Sequence, residues 1–205
     1  MRAFLGCVLC GISLLIGGAA FGAGEWVSLF DGKSLNGWKT LPGGKWEVRD
    51  GIIVGVTPRS EERHGILYTE KDYTDFEASV VYRAVKGNSG FFFRSAEYKK
   101  TQTVEGFQAE IDADGRNAGG LYENWGRNWV VRPPRPLIQK AFKKGEWNQM
   151  TVRAEGHHIT VFLNGYKMSE LKNDKRSRLK GFFGFQLHGR RDMSVEVKEV
   201  KVKEL

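Results

Sequence analysis

The sequence has little cysteine, little proline and no sustained helical pattern. Its two cysteines, Cys7 and Cys10, both lie in the first ten residues. The rest of the chain therefore has no thiol for a disulfide or for nucleophilic chemistry. Three of the five prolines fall within 133–136, which predicts a loop there. No 11-residue window has a convincing 3.6-residue period, and no internal repeat or linker is visible, so a helical or repeat architecture is excluded.

Signatures of nucleic-acid binding are also missing. Lysine and arginine number 32 against 24 acidic residues, which gives a net charge of +8. The excess is spread along the chain in small clusters, as on an ordinary solvated surface. Zinc-finger, helix-turn-helix and RNA-binding signatures are absent, so we expect no nucleic-acid partner.

The only long apolar run is at the amino end. Arg2 precedes an almost entirely apolar stretch, 3–16, and Ala20-Phe21-Gly22 fits a cleavage site with small residues at −3 and −1. We interpret 1–22 as a secretory signal peptide, since the run is too short for a comfortable membrane span. An uncleaved anchor is the alternative. The expected product is a periplasmic or secreted single domain, 23–205, without a membrane span.

The remaining sequence is rich in short alternating segments that predict β-strands. Asp50-Gly51 and Asn164-Gly165 are two-residue hairpin turns, because both central positions need positive φ. In the last strand the apolar positions change phase between Val197 and Val200, which predicts a bulge. Many antiparallel strands without alternating helices predict an all-β sandwich or jelly roll. The predicted strands are 26–30, 46–49, 52–56, 76–83, 91–95, 107–113, 147–154, 159–163, 166–171, 182–188 and 194–202.

One strand carries an unusual row of acids. In GFQAEIDADG, 106–115, Gln108, Glu110, Asp112 and Asp114 alternate with apolar or small residues and share one face. Acidic residues are depleted in strands, and neighbouring like charges repel. Side chains two apart lie about 6.6–7 Å from each other, so one carboxylate can raise the pKa of the next. We predict acid and base roles for Glu110 and Asp112. A solvent-facing strand is the alternative, and Asp114 suits the following turn with Gly115.

A second strand, GFQLHG at 184–189, places Gln186 and His188 on its polar face. His188 is the histidine best suited to proton transfer, because adjacent glycines leave room for a ligand. Its alternative is a surface histidine near a strand end. His157 and His158 fit a solvated turn, and His64, in a predicted loop, stays undecided.

Three further residues are candidates for substrate binding. Arg94 shares a predicted strand face with Gly90, where it either binds a sugar hydroxyl or pairs with Glu110 or Asp112. Tyr122 and Trp125 lie in a predicted aromatic loop, and aromatic faces stack on the apolar faces of sugar rings. The alternative for both is a role in plugging the rim of the sandwich.

Several motifs in a fixed order resemble one family, the 3-keto-disaccharide hydrolase-like domain. LFDG at 29–32 and LNGW at 35–38 resemble its opening, and NSGFFFR at 88–94 resembles its central strand pair. GEWN at 145–148, LNG at 163–165 and GFQLHG resemble its later part. The resemblance runs from about residue 25 to the end.

The resemblance implies a fold and an activity. The fold is a concanavalin-like jelly roll of two antiparallel sheets with a site on the concave face. The activity is that of an exported protein acting on 3-keto sugars, which form when an oxidoreductase oxidises a glycoside at C3. A sugar 3-dehydrogenase is thus the expected upstream partner, and a saccharide the expected ligand.

Such a substrate needs a base for the C2 proton, an acid for the leaving oxygen and an electrophile for the enolate oxygen. Glu110, Asp112 and His188 suit the first two roles in either assignment. Gln108 and Gln186 share their faces and suit substrate binding. Arg94 or a divalent metal suits the third role; no metal-ligand spacing is present, and no organic cofactor is expected.

Two other functions fit the same sequence. One is a retaining glycosidase, in which Glu110, Asp112 and Asp114 would form the acidic row; its two carboxyl groups would lie about 5–5.5 Å apart. The other is a carbohydrate-binding module without catalysis, which the fold alone does not separate from an enzyme.

Overall fold

The computed structural model describes residues 24–205. The predicted signal peptide and its cysteines, Cys7 and Cys10, lie outside the described residues. Within 24–205 the chain forms fifteen strands and one short helix. No helix in this part of the chain has the length and apolarity needed to cross a membrane.

The strands form two antiparallel sheets. The first sheet has the order β13-β12-β11-β6-β15-β4-β3, with β1 paired to β15, and the second has the order β10-β9-β8-β7-β14-β5-β2. The strands of the first sheet are β1 (Val27–Ser28), β3 (Lys45–Arg49), β4 (Ile52–Thr57), β6 (Phe76–Lys86), β11 (Asn148–Glu155), β12 (His158–Leu163), β13 (Tyr166–Leu171) and β15 (Met193–Glu204). Those of the second are β2 (Trp38–Leu41), β5 (Gly65–Tyr73), β7 (Asn88–Tyr98), β8 (Thr103–Asp112), β9 (Leu121–Asn124), β10 (Asn128–Val131) and β14 (Gly181–Leu187).

One continuous core fills the space between the sheets. Strand alternation supplies it, because successive side chains point to opposite faces. β8 contributes Phe107, Ala109 and Ile111, while β14 contributes Phe183 and Phe185, all of them buried in that core. The same alternation leaves the intervening side chains of β8 and β14 on the outer face of the second sheet. The predicted two-sheet jelly roll is confirmed.

The predicted turns and bulge are also present. Asp50 and Gly51 have φ of 51° and 76°, and Asn164 and Gly165 have φ of 50° and 82°, as two-residue hairpins require. The last strand changes register against β6 between Val197 and Glu199. This is the bulge that the change of phase predicted.

The proline-rich stretch differs from the prediction. A helix, α1 (Arg135–Ala141), begins directly after Pro134, with Pro136 in its first turn. Proline is tolerated there because the first N–H groups of a helix have no partner within the helix. Ile138 and Ala141 are buried, so packing against the sandwich stabilises this short helix.

Candidate functional site

A polar cavity of about 720 Å³ lies on the outer face of the second sheet. Seven of the eight predicted site residues line it: Gln108, Glu110, Asp112, Tyr122, Trp125, Gln186 and His188. The polar faces of β8 and β14 therefore open into one cavity. This is the arrangement on which the prediction of a common site depended.

Strand register explains why the two polar faces meet. β7 lies between β8 and β14 in the sheet. Gly90 of β7 pairs with Glu110, and one residue away Phe91 pairs with Phe185. Gly90 therefore separates Glu110 from Gln186 on the outer face. Because Gly90 has no side chain, the Gln108 side chain can lie over it on the cavity floor.

Glu110 is held at the floor by amide groups. Its side chain accepts hydrogen bonds from Asn88 Nδ2 and, at 2.9 Å, from Gln108 Nε2. Gln108 Oε1 accepts in turn from Asn124 Nδ2 at 3.2 Å. This chain of amides fixes the carboxylate while leaving it without a charged partner in direct contact.

Burial dominates the ionisation of Glu110. Only 4% of the residue is exposed, and this desolvation raises the pKa of Glu110 to about 7. The amides of Asn88 and Gln108 act in the opposite direction, and the charge of Asp112 adds a smaller upward contribution to the pKa. A carboxyl group with a pKa near neutrality can both accept and return a proton under ordinary conditions.

Asp112 and Asp114 have different surroundings. Asp112 is buried at the cavity wall, where its Oδ2 lies 3.4 Å from Arg116 Nε and its Oδ1 accepts the backbone N–H of Asp114 at 2.7 Å. The side chain of Asp114 is 61% exposed and pairs with Lys144 at 3.1 Å. The backbone N–H of Gly115 donates to Asp112 O, closing the turn that was predicted for Asp114. Asp114 does not line the cavity.

His188 has a histidine neighbour. The rings of His188 and His64 lie 4.5 Å apart, edge to face, and both line the cavity. Burial lowers the pKa of His188, and burial together with His188 lowers the pKa of His64 to about 4. Nδ1 of His188 lies 2.8 Å from Gly189 O. A carbonyl oxygen only accepts, so Nδ1 carries the hydrogen and Nε2 keeps its lone pair.

Aromatic side chains form the rim. Trp125 is 57% exposed and stacks on Tyr98 with ring centroids 4.5 Å apart. Tyr122 packs edge to face against Trp129 and donates its hydroxyl hydrogen to Asn128 Oδ1 at 2.8 Å. The rim thus combines flat apolar faces with polar groups, a surface that suits a saccharide ring.

Arg94 is not part of the site, and the predicted pairing with Glu110 or Asp112 is wrong. Arg94 has φ of 47° and lies in a bulge, where β7 and β8 change register. The bulge turns its side chain off the polar face, so the guanidinium is fully buried elsewhere. It pairs with Asp75 at 2.9 Å and donates to the carbonyls of Thr74 and Gly156.

Other cavity residues were missed or left undecided. Asn88 appeared only within the motif at 88–94, and His64 was assigned only to a loop. Asn124 follows two residues after Tyr122 on β9, an alternation that would have placed both on one face. Asn88 and His64 reach the site through pairing of distant strands, for which a single segment carries no signal. His158 is exposed, as predicted, and lies 3.1 Å from Glu170, but it is the first residue of β12 and not part of the turn.

The divalent metal stays a prediction without an assigned set of ligands. Among residues 24–205, no three histidine, cysteine, aspartate or glutamate side chains form a group that would hold a metal ion.

Comparisons with known proteins identify relatives. A family model for the 3-keto-alpha-glucoside-1,2-lyase-like domain matches residues 25–203. No curated protein matches the chain. Among solved structures, a "putative glycosyl hydrolase" from Parabacteroides distasonis is 24% identical, with a TM-score of 0.66 over 88% of this chain and 100% of that chain.

More distant structures have the same fold. The carbohydrate-binding module CBM66 from Bacillus subtilis is 16% identical, with a TM-score of 0.63 over 82% of this chain and 96% of that one. A Bacillus subtilis protein of unknown function with a galectin-like fold is 13% identical, with a TM-score of 0.66 over 83% and 90% of the two chains. These similarities show the fold.

Proposed function

The chain belongs to the 3-keto-alpha-glucoside-1,2-lyase-like family, and from this premise we propose that it cleaves 3-keto glycosides by elimination followed by hydration. The C3 ketone acidifies the C2 proton, which a base removes. The resulting enolate expels the C1 aglycone, and the aglycone oxygen takes up a proton from solvent. Water then adds at C1 while a proton returns to C2, so the net reaction is hydrolysis.

Glu110 is the proposed base at C2. The observation that carries this assignment is its position on the cavity floor with a pKa raised to about 7. A base with a pKa near the working pH combines a useful deprotonated fraction with a strong tendency to take the proton. The amides of Asn88 and Gln108 keep the carboxylate in place.

His188 is the proposed base for the hydration step. Its lowered pKa keeps the imidazole neutral at pH 7, and Nε2 has the free lone pair needed to take a proton from water. The side-chain amides of Asn88 and Gln186 are the proposed donors to the enolate oxygen, a role that preorganised neutral donors serve well. These assignments use only side chains that line the cavity.

The cellular context follows from the chemistry of the substrate. A 3-keto glycoside has to be supplied by an oxidoreductase that oxidises a sugar at C3, so we propose an upstream sugar 3-dehydrogenase. The signal-like residues 1–22 support export, and we place the reaction in the periplasm or outside the cell.

A binding module is the second candidate. Its support is the exposed Trp125, stacked on Tyr98 at the rim, since surface aromatics of this kind bind sugars without any catalytic step. A retaining glycosidase is less well supported. Its acidic row would include Asp114, which lies in an exposed turn outside the cavity.

The test compares matched substrates and matched variants. Wild-type protein should release aglycone from 3-keto glucosides of one or both anomers but not from the unoxidised glucosides. Because ionised Glu110 acts as the base, kcat/KM should rise with pH up to about 7 and then level off. Glu110→Gln should lose about 10²–10⁴-fold in kcat.

The control is Glu105→Gln, on the same strand but outside the cavity, which should keep wild-type activity. Full activity in Glu110→Gln would remove Glu110 from the mechanism. Calorimetric binding of the saccharide without any product would favour the binding module.

A further inference from the structure

A second cavity, of about 650 Å³, adjoins the first at the histidine end of the sheet. His64, His188 and Arg191 line both cavities. A ligand that lies over the proposed catalytic groups is therefore next to this neighbouring space. The lining residues of the second cavity are Arg59, Glu62, His64, His188, Gly189, Arg190 and Arg191.

Hydrogen bonds and close packing hold together the two loops that form the second cavity, which contain Arg59 and Arg190. The backbone N–H of Arg190 donates to Glu61 O at 2.6 Å, and that of Arg59 donates to Asp192 Oδ1 at 2.9 Å. Gly189 packs so closely on Glu62 that a Cβ at this position would overlap the Glu62 carbonyl. The arginines thus project from a well-defined backbone arrangement.

The second cavity has an excess of positive charge. Three guanidinium groups face one carboxylate, that of Glu62, which lies 3.5 Å from Arg190 with both side chains largely exposed. Within residues 24–205, neither Arg59 nor Arg191 forms a side-chain ion pair, and the carboxylate of Asp192, which accepts the backbone N–H of Arg59 and whose pKa is lowered by that hydrogen bond and in part by the charge of Arg59, does not line the cavity. The two histidines do not offset this excess, since both are neutral at pH 7.

The floor of the first cavity has no such excess of positive charge. Its acids are Glu110 and Asp112, and Asp112 is paired with Arg116 at 3.4 Å. Arg191 lies at the junction, close enough for its charge to contribute to lowering the pKa of His188. A molecule spanning both cavities therefore meets an uncharged or acidic floor at one end and guanidinium groups at the other.

We propose that the second cavity binds an anionic group on the aglycone, so that the preferred substrates are 3-keto glycosides with an acidic aglycone. This inference rests on the proposed function for the direction in which the sugar lies. Guanidinium groups bind carboxylate, sulfate and phosphate through paired charge-assisted hydrogen bonds. The shared chemistry is a negatively charged oxyanion, planar or tetrahedral.

The test uses three aryl 3-keto-glucosides, prepared as both anomers. The 4-carboxyphenyl and 4-carbamoylphenyl compounds have nearly the same shape and differ in charge, and the 4-sulfophenyl compound replaces the planar anion with a tetrahedral one. For wild-type protein at low salt, we expect kcat/KM for the carboxylate to exceed that for the amide by about 10-fold. The sulfonate tells whether the subsite selects planar anions or any oxyanion.

The informative variant is the double substitution Arg59→Gln and Arg190→Gln, which changes residues that line only the second cavity. It should reduce the carboxylate-to-amide ratio to about 2 or less. Arg135→Gln, on α1 and outside both cavities, removes the same kind of charge and should leave the ratio unchanged. A wild-type ratio near one, or a ratio that the double variant does not alter, overturns the inference.

The anionic subsite can also be tested if the proposed cleavage of 3-keto glycosides does not occur. If no 3-keto glucoside is cleaved, the same charge preference is measured calorimetrically with unoxidised 4-carboxyphenyl and 4-carbamoylphenyl glucosides. Tighter binding of the carboxylate, lost in the double variant, upholds the anionic subsite without catalysis. Equal affinities for the two glucosides reject it.

Discussion

Glu110 is a carboxyl group whose ionisation the fold opposes. It is almost completely buried, and the two groups that donate to it are neutral amides. A protein built only for stability would place an apolar residue or an ion pair there, because an unpaired buried charge is costly. The cost is understandable if the group serves as a base, since perturbed pKa values concentrate at functional sites.

Because ionising the buried Glu110 is unfavourable, the free energy of unfolding depends on pH. The pKa of Glu110 is raised from 4.5 to about 7 in the folded protein, so between these values the folded state binds more protons than the unfolded state. The free energy of unfolding therefore falls as the pH rises through this window, by about 3 kcal/mol in total. A glutamine at position 110 does not ionise, so it would not cause this pH dependence.

We expect Glu110→Gln to gain stability relative to wild type between pH 4.5 and pH 8, by up to about 3 kcal/mol. Urea unfolding at the two pH values measures the gain, and the comparison between them removes any pH-independent effect of the substitution. Glu105→Gln serves as the control and should show no comparable change. A stability difference between Glu110→Gln and wild type that is the same at both pH values would contradict the raised pKa.

Of the two cavity histidines, the local sequence predicted only one. His188 was predicted from its place in an alternating strand, and the structure puts it in the cavity. His64 has no such pattern, because it stands just before β5 and meets His188 only through the pairing of β5 with β14.

The central hairpin of β7 and β8 positions most of the candidate site. Gly90 faces the cavity floor opposite Glu110, and a Cβ at this position would overlap the side chain of Gln108. Gln108 is the residue whose Nε2 holds Glu110 Oε2. The missing side chain at Gly90 is therefore part of how the proposed base, Glu110, is positioned.

Gly90→Ala should displace Gln108 and break its hydrogen bond to Glu110. That bond lowers the pKa of Glu110, so its loss should raise the pKa further and shift the rising limb of the kcat/KM profile to higher pH. The measurement is the pH profile of aglycone release from a 3-keto glucoside.

The control is a double-mutant cycle with Gln108→Ala. If the collision with Gln108 is the cause, Gly90→Ala should add little in the Gln108→Ala background. A full additional shift in that background would show that Gly90 acts in some other way.

The alternation of apolar and polar residues predicted most of the strands and the polar side chains of β8 and β14 that line the cavity. GFQAEIDADG and GFQLHG contain both the apolar residues that enter the core and the polar residues that line the cavity. The method failed at Arg94, because the glycine at the bulge that reverses its direction, Gly106, lies on the paired strand β8 and not in the segment that contains Arg94. It also missed β5, where Glu70, Lys71 and Asp72 obscure the strand signal.

In the molecule as a whole, one outer face of the two-sheet sandwich forms the cavity. The first sheet closes the core with its inner side, and the second contributes to that core and carries the polar cavity on its outer side. Which strands become neighbours depends on long-range pairing, so the sequence predicted the contents of each polar face but not the order that brings them together. The basic second cavity was likewise invisible, because Arg59 and Arg190 are far apart in the chain.

The arrangement also separates the groups proposed for binding from the group proposed for catalysis. The rim aromatics and the arginines of the second cavity are the groups proposed to bind a ligand, whereas the desolvated Glu110 is needed only if a proton is moved. Fold similarity to a carbohydrate-binding module does not distinguish these roles. The distinction lies in what happens to the C2 hydrogen of the sugar.

The decisive measurement is the fate of that hydrogen when wild-type protein acts on a 3-keto glucoside in D₂O, with an enzyme-free sample to correct for spontaneous exchange. Elimination and hydration predict aglycone release with deuterium incorporated at C2 of the product, and no release from the unoxidised glucoside. Equal release from the unoxidised glucoside, or retention of the C2 hydrogen together with an unchanged rate for the C2-deuterated 3-keto glucoside, would contradict the account.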